Sequence, residues 1–206
     1  MNNEFVISDH PNMESVIRGR RLEYVTIIWN SLEGIIAVGA GIVAGSIALV
    51  GFGVDSVIEV SSAAIILWRF ASGEHRERLA LRFIGISFLA LASYVAFDAV
   101  KSLSYHELPN PSYIGIAIAA LSLVVMPILA RAKRKVAAAL NSRAMHADSR
   151  QTDLCAYLSA ILLGGLILNA IFGWWWADPV AALIMVPIIA KEGIDALRGE
   201  TCDGCH

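Results

Sequence analysis

The sequence predicts an all-α, polytopic membrane protein with six transmembrane helices and both termini in the cytoplasm. Three observations predict it. The 206-residue chain is 57% hydrophobic with a mean hydropathy of +0.63, too apolar for an ordinary soluble domain. Six stretches, 24–45, 47–69, 80–102, 112–132, 152–172 and 178–197, reach the roughly 20 mostly apolar residues that a spanning helix needs. Basic residues gather on alternate connections: Arg18, Arg20 and Arg21 before the first span; Arg69, Arg76, Arg78 and Arg82 around the second connection; Arg131, Lys133, Arg134, Lys135, Arg143 and Arg150 after the fourth span; Lys191 and Arg198 at the end of the sixth. The other connections hold only Lys101 near an edge, so the basic sides face the cytoplasm. The net charge of −2 conceals this segregation, and nothing in it suggests nucleic-acid binding. The first residues are polar and lack an apolar signal-peptide core, so no cleavable leader is expected. The expected division is a polar N-terminal tail over 1–20, the six-helix membrane domain over 21–198, and a short Cys/His tail over 199–206.

The first span carries Asn30 and Glu33 and then Gly34, Gly39, Gly41 and Gly45. Gly41 and Gly45 form a GxxxG pair, expected to allow close helix approach within the subunit. Glu33 is open to three readings: an acid supporting a nearby ligand, a proton carrier, or a snorkelling side chain. A tight connection makes the first two spans a hairpin.

The second span holds the densest signal. Asp55 and Glu59 interrupt an otherwise apolar run, four residues apart and therefore on one helix face. Each costs at least about 2.5–3.5 kcal/mol at bilayer depth. No Lys or Arg lies between them, so they repel unless something positive intervenes; a cation from outside the chain is the simplest candidate. The structural alternative is a pair held neutral, or paired with another helix. Intramembrane acids mark ion or proton pathways, which favours the functional reading.

Residues 72–78 form a charged turn in which His75 is expected to be solvated. In the third span, an i, i+3 ion pair accounts for Asp98 and Lys101. Residues 108–112 make an outer turn, and Pro127 is expected to kink the fourth span. The basic, Ala-rich stretch 131–150 is expected to extend as helix into a second polar constellation, where Gln151 and Cys155 share a face with Asp148 and Ser159 close to it, and Asp153 points away. Trp174, Trp175 and Trp176 suit an interfacial belt. Asp178-Pro179 opens the sixth span, with Pro in the tolerated first turn. The ending Cys202-Asp203-Gly204-Cys205-His206 spells a c-type haem attachment site, but its cytoplasmic placement and the lack of a haem pocket argue against haem. It offers at most three ligands for a soft metal such as zinc or copper(I), or is an inert thiol tail.

Together these residues resemble the membrane domain of the cation diffusion facilitator family of divalent-metal transporters. In that family a Ser-Leu-Ala-Leu-like start leads to an Asp or His nine residues after the Ser and to an Asp four further on. Here Ser46-Ile47-Ala48-Leu49 leads without gaps to Asp55 and Glu59. The family's fifth helix carries Ala-Asp, then a His, then an Asp; anchoring on Ala147-Asp148 puts Gln151 and Cys155 at the last two positions. A register shifted by two would place Ser149 and Asp153 there instead. Gly173 to Pro179 resembles the family's turn into helix six. The resemblance covers about residues 20–198 and stops where the family's usual cytoplasmic domain would begin, so that domain is expected to be absent.

The resemblance implies a transporter rather than an enzyme, with no cofactor beyond the transported cation, a site between helices two and five, export from the cytoplasm, and a homodimer formed through membrane helices. Two carboxylates, a thiolate and a weak amide oxygen suit zinc, and also cobalt or iron(II), but not magnesium or calcium. Ligands must be deprotonated to bind, so binding releases protons and a proton-coupled antiport follows from alternating access. The competing reading is a membrane metal sensor or partner protein that binds without turnover.

Overall fold

Inside a bilayer every backbone polar group must find its partner within the chain, which leaves helices as the natural solution for apolar segments of this length. The computed structural model describes residues 13–72, 77–105 and 109–198. It forms six α-helices: α1 Met13–Ala44, α2 Ile47–Ser72, α3 Glu77–Tyr105, α4 Tyr113–Ala139, α5 Arg143–Phe172 and α6 Ala177–Arg198. Five are long and apolar enough to cross a membrane, over Met13–Ala44, Ile47–Trp68, Gly85–Tyr105, Tyr113–Ala139 and Asp148–Phe172. The protein is therefore an all-α, multi-pass membrane protein. α6 falls short of that apolar standard because Lys191, Glu192 and Asp195 crowd its last two turns. Its 22 residues still give about 33 Å of helix, the thickness of a hydrocarbon core.

α1 starts at Met13, ahead of the apolar segment that begins near residue 24. α1 and α2 are joined by a turn in which Gly45 adopts φ +67°, and this changes the reading of the GxxxG pair. Gly45 faces open space and supplies the turn, a left-handed conformation cheap only for glycine. The close approach rests on Gly41 together with Gly34 and Gly53. A Cβ at Gly53 would stand 2.8 Å from the Val38 nitrogen, and one at Gly34 would stand 3.1 Å from the Gly53 carbonyl oxygen.

The stretch expected as continuous helix through 131–150 is broken at 140–142. Asn141 turns to φ 46°, and Ser142 caps α5 by accepting from the Met145 nitrogen at 3.3 Å. A Ser one residue before a helix start competes for the backbone and favours the break. α5 ends in a glycine cap, Gly173 at φ 65°. α4 and α6 run on through Pro127 and Pro187.

α1 packs against α2, α4 against α5, and the two hairpins meet through α1–α4 and α2–α5 contacts to form a four-helix group. α3 and α6 form a separate pair, joined to that group through α2 and α5. The outer ends are tied by polar contacts. Asp178 at the start of α6 accepts from Ser46 Oγ, from the Ile47 nitrogen at 3.0 Å and from the Ala48 nitrogen at 3.4 Å, so it caps α2. Asn169 Nδ2 donates to the Pro109 carbonyl at 3.0 Å. Trp174 and Trp176 stack at 5.0 Å beside them. On α3 the Tyr94 hydroxyl reaches Asp98 Oδ2 at 3.5 Å. His75 and the tail residues Cys202, Cys205 and His206 lie outside the described residues.

Candidate functional site

The four-helix group encloses a column of polar side chains. Its first wall is a stripe on α1, where Glu23, Thr26, Asn30 and Glu33 are all fully buried. Their three- and four-residue spacing puts them on one face, toward α2 and α4. α2 adds Asp55, Ser56, Glu59 and Ser62, α4 adds Ser122 and Lys133, and α5 adds Asp148, Ser149, Gln151, Thr152, Cys155 and Ser159, every one of them buried.

At the end of the column nearest the α4–α5 connection, four helices meet in an ion-pair knot. Lys133 Nζ donates to Asp148 Oδ2 at 2.6 Å. It also lies 3.3 Å from Glu23 Oε2, at ion-pair distance but off the angle of a hydrogen bond, so neither Glu23 oxygen accepts one. Ser62 Oγ donates to the other Asp148 oxygen at 3.1 Å. One turn deeper, Thr152 Oγ1 donates to Glu59 Oε1 at 2.6 Å, while Glu59 Oε2 and Gln151 Nε2 are buried without a partner.

Deeper again, about 10 Å along α5 from Asp148, lies Cys155. Its thiol points at Glu33 Oε1, 3.7 Å away. Glu33 also accepts from Ser56 at 3.1 Å, from Ser122 at 3.0 Å and from the Trp29 indole. Asp55 is 4% exposed, and among the described residues neither of its oxygens has a hydrogen-bond or ion-pair partner. Asp55, Glu59 and Glu33 lie close enough to act on one another and on the Cys155 sulfur through space. Among the described residues, no three His, Cys, Asp or Glu side chains stand close enough together to enclose a metal ion.

The charges do not balance. Among the described residues, Glu23, Glu33, Asp55, Glu59 and Asp148 face a single buried cation, Lys133. A buried charge without a partner is costly, so this column calls for further positive charge, as protons or metal.

Residues 24–200 match the family model of the cation efflux transmembrane domain. The chain belongs to the cation efflux family. An uncharacterized transporter of Methanocaldococcus jannaschii is 32% identical over 83% of this chain and 64% of its own length. A cation-efflux pump of Shewanella oneidensis is 29% identical over 52% of this chain and 38% of its own length. A cadmium, cobalt and zinc/H(+)-K(+) antiporter of Bacillus velezensis is 28% identical over 57% of this chain and 37% of its own length. The chain thus spans less than two thirds of the length of each of these relatives.

Within this cation-efflux domain the sequence candidates divide by position. Asp55, Glu59, Gln151 and Cys155 are buried in the column, and Asp148 joins the knot at its end. Asp153 turns the other way and pairs with Arg134 of α4, outside the column. Ser149, its companion in the shifted register, is buried and donates to the His146 carbonyl at 2.7 Å. Glu23 and Lys133 are column residues that sequence reasoning missed. Lys133 is hidden in a basic run that reads as an exposed cytoplasmic edge. The signal for Glu23 was available: Glu23-Thr26-Asn30-Glu33 is a polar stripe at helical spacing in the first span.

Proposed function

We propose that this domain carries divalent transition-metal cations, zinc, cobalt or iron(II), out of the cytoplasm in exchange for protons. Asp55 and Glu59 are its central ligands. The observation that carries this reading is the pair of buried α2 acids with uncommitted oxygens: Glu59 Oε2 is buried without a partner, and among the described residues Asp55 forms no hydrogen bond or ion pair. Native proteins rarely leave such atoms orphaned unless a ligand takes them up.

Cys155 adds a soft donor and Gln151 a weak one, which favours transition metals over magnesium and calcium. An arriving cation would draw these side chains in by rotation about their χ angles. Asp148 has both oxygens taken by Lys133 and Ser62, so it would join a cation only once that knot opens. Metal displaces protons from carboxylates and thiol, so each binding event is coupled to proton release. The antiporter name of the Bacillus relative supports the coupling. A homodimer through membrane helices fits the family, with the outer groove along Phe97, Val100 and Tyr105 of α3 as a lipid- or subunit-facing surface.

The test is transport in vesicles loaded with a metal-sensing dye. With a proton gradient imposed, the parent accumulates zinc continuously, and Asp55→Ala and Glu59→Ala do not. Apparent affinity weakens as pH falls, because protons compete for the same groups. Uptake that saturates at one metal per protein would make it a binder or sensor rather than a carrier.

A further inference from the structure

Glu33 stands apart from the acids of α2. Both of its oxygens are committed: Oε1 to Ser56 and to the Cys155 thiol, Oε2 to Ser122 and the Trp29 indole. Asp55 and Glu59 Oε2 carry no such ties. A carboxylate already held by donors from α1, α2 and α4 is fixed in direction and is poorly free to join a metal. It can fix the direction of what leans on it.

What leans on it is Cys155. The thiol donates to Glu33 Oε1 at 3.7 Å, is 1% exposed, and sits on α5 near the α2 acids. Ser56, the immediate neighbour of Asp55, rests on the same Glu33 oxygen as the thiol. One carboxylate from a third helix therefore sets the relation between the α5 sulfur and the α2 oxygens.

We propose that Glu33 is a positioning residue that holds the Cys155 sulfur within reach of the cation bound by Asp55 and Glu59, and so selects thiophilic divalent cations over those that prefer oxygen alone. The inference rests on the cation-site reading above. Without Glu33 the thiol loses this acceptor and is oriented only by its contacts with Glu59 and Ser122. Groups behind metal ligands typically matter by about 10–100-fold in metal affinity when removed. Because this one acts through sulfur, the loss falls on soft cations.

The test uses the full chain, purified in detergent, with Cys202→Ser and Cys205→Ser so that Cys155 is the sole thiol. Cadmium and manganese(II) are titrated separately, and the thiolate-to-cadmium charge-transfer absorbance is recorded at saturation. The parent shows the band, and Cys155→Ala abolishes it. Glu33→Leu is expected to lose most of the band and about 10–100-fold in cadmium affinity, while manganese affinity stays within about threefold. Glu33→Gln, which keeps an acceptor oxygen, retains most of both. If Glu33→Leu does not fold, Ser122→Ala removes one of the two donors to Glu33 Oε2, leaving the Trp29 indole, and is expected to lower the band partway. A full-strength band with parental cadmium affinity in Glu33→Leu, or in Ser122→Ala where that variant stands in, overturns the role of Glu33. A band missing from the parent, or unchanged in Cys155→Ala, overturns the cation-site reading beneath it.

Discussion

The α1, α2, α4 and α5 group and the α3–α6 pair solve the same packing problem with opposite materials. The four-helix group buries five carboxylates and an ammonium in its interior. α3 and α6 bury Phe88, Leu91, Ala92, Val95, Ala182, Met185 and Ile189 in the apolar core, where Val95 packs against Gly51 of α2. The two backbones touch at a seam where Gly85 meets Gly193. Among the described residues, the buried polar side chains of that pair, Ser102 and Asp178, lie at its outer end. Small residues and dispersion suffice to hold two helices together in lipid. The polar column is thus not what membrane assembly requires. It is the part of the bundle that assembly would be easier without, and the proposed cation path runs through it.

Three substitutions would break or sharpen this contrast. The largest effect is expected from Lys133→Met, which leaves Glu23 and Asp148 buried without their cation. Breaking a buried ion pair costs about 3–5 kcal/mol. For a chain of this size that lowers the melting temperature in detergent by about 10 °C. Adding Glu23→Gln and Asp148→Asn to Lys133→Met should recover part of the loss. An unchanged melting curve for Lys133→Met would mean that the knot carries no net stability.

Gly85→Ala comes second. Its Cβ would stand 2.7 Å from the Gly193 carbonyl oxygen, backbone that cannot swing aside. Overpacking of this kind costs about 1–3 kcal/mol. Zinc affinity by calorimetry should stay at the parental value, since the seam lies outside the column. A matching loss of affinity would show that the two halves are not separable.

Asp153→Ala is the smallest. Its pairing with Arg134 is partly exposed, at 29% and 40% of the two side chains, and such pairs contribute about 0–1 kcal/mol. Neither melting nor zinc affinity should move measurably. A large loss of zinc binding would reinstate Asp153 as a ligand in place of Cys155.

Helix number, helix order and the Asp55/Glu59 pair were legible because membrane helices write their length and their exceptions directly into hydropathy. The break at 140–142 was not, because an Ala-rich basic stretch satisfies helix propensity on both sides of it and only the Ser142 cap and Asn141 mark the stop. Gly45 misled for a related reason: GxxxG spacing counts residues along a helix, and the helix had already ended at Ala44. Lys133 was opaque on different grounds. A lysine beside arginines at a membrane edge reads as a topology signal, and burial shows only when Glu23 and Asp148 arrive from two other helices. The same holds for Glu33, whose neighbours Ser56, Ser122 and Cys155 come from three helices.

The Asp178 cap gives the bundle a fulcrum. It binds the first residues of α2 to the first residues of α6, so any tilt of either helix is pinned at that point. Distance from that point sets the lever arm. Asp55 lies about 12 Å down α2 from Ile47, and Ser62 about 22 Å down. Tilting α2 by about ten degrees around the cap carries Asp55 by about 2 Å and Ser62 by about 4 Å, from the same helix rise. Stroke length therefore grows away from the cap: for the same tilt, Ser62 in the knot with Asp148 and Lys133 travels about twice as far as Asp55.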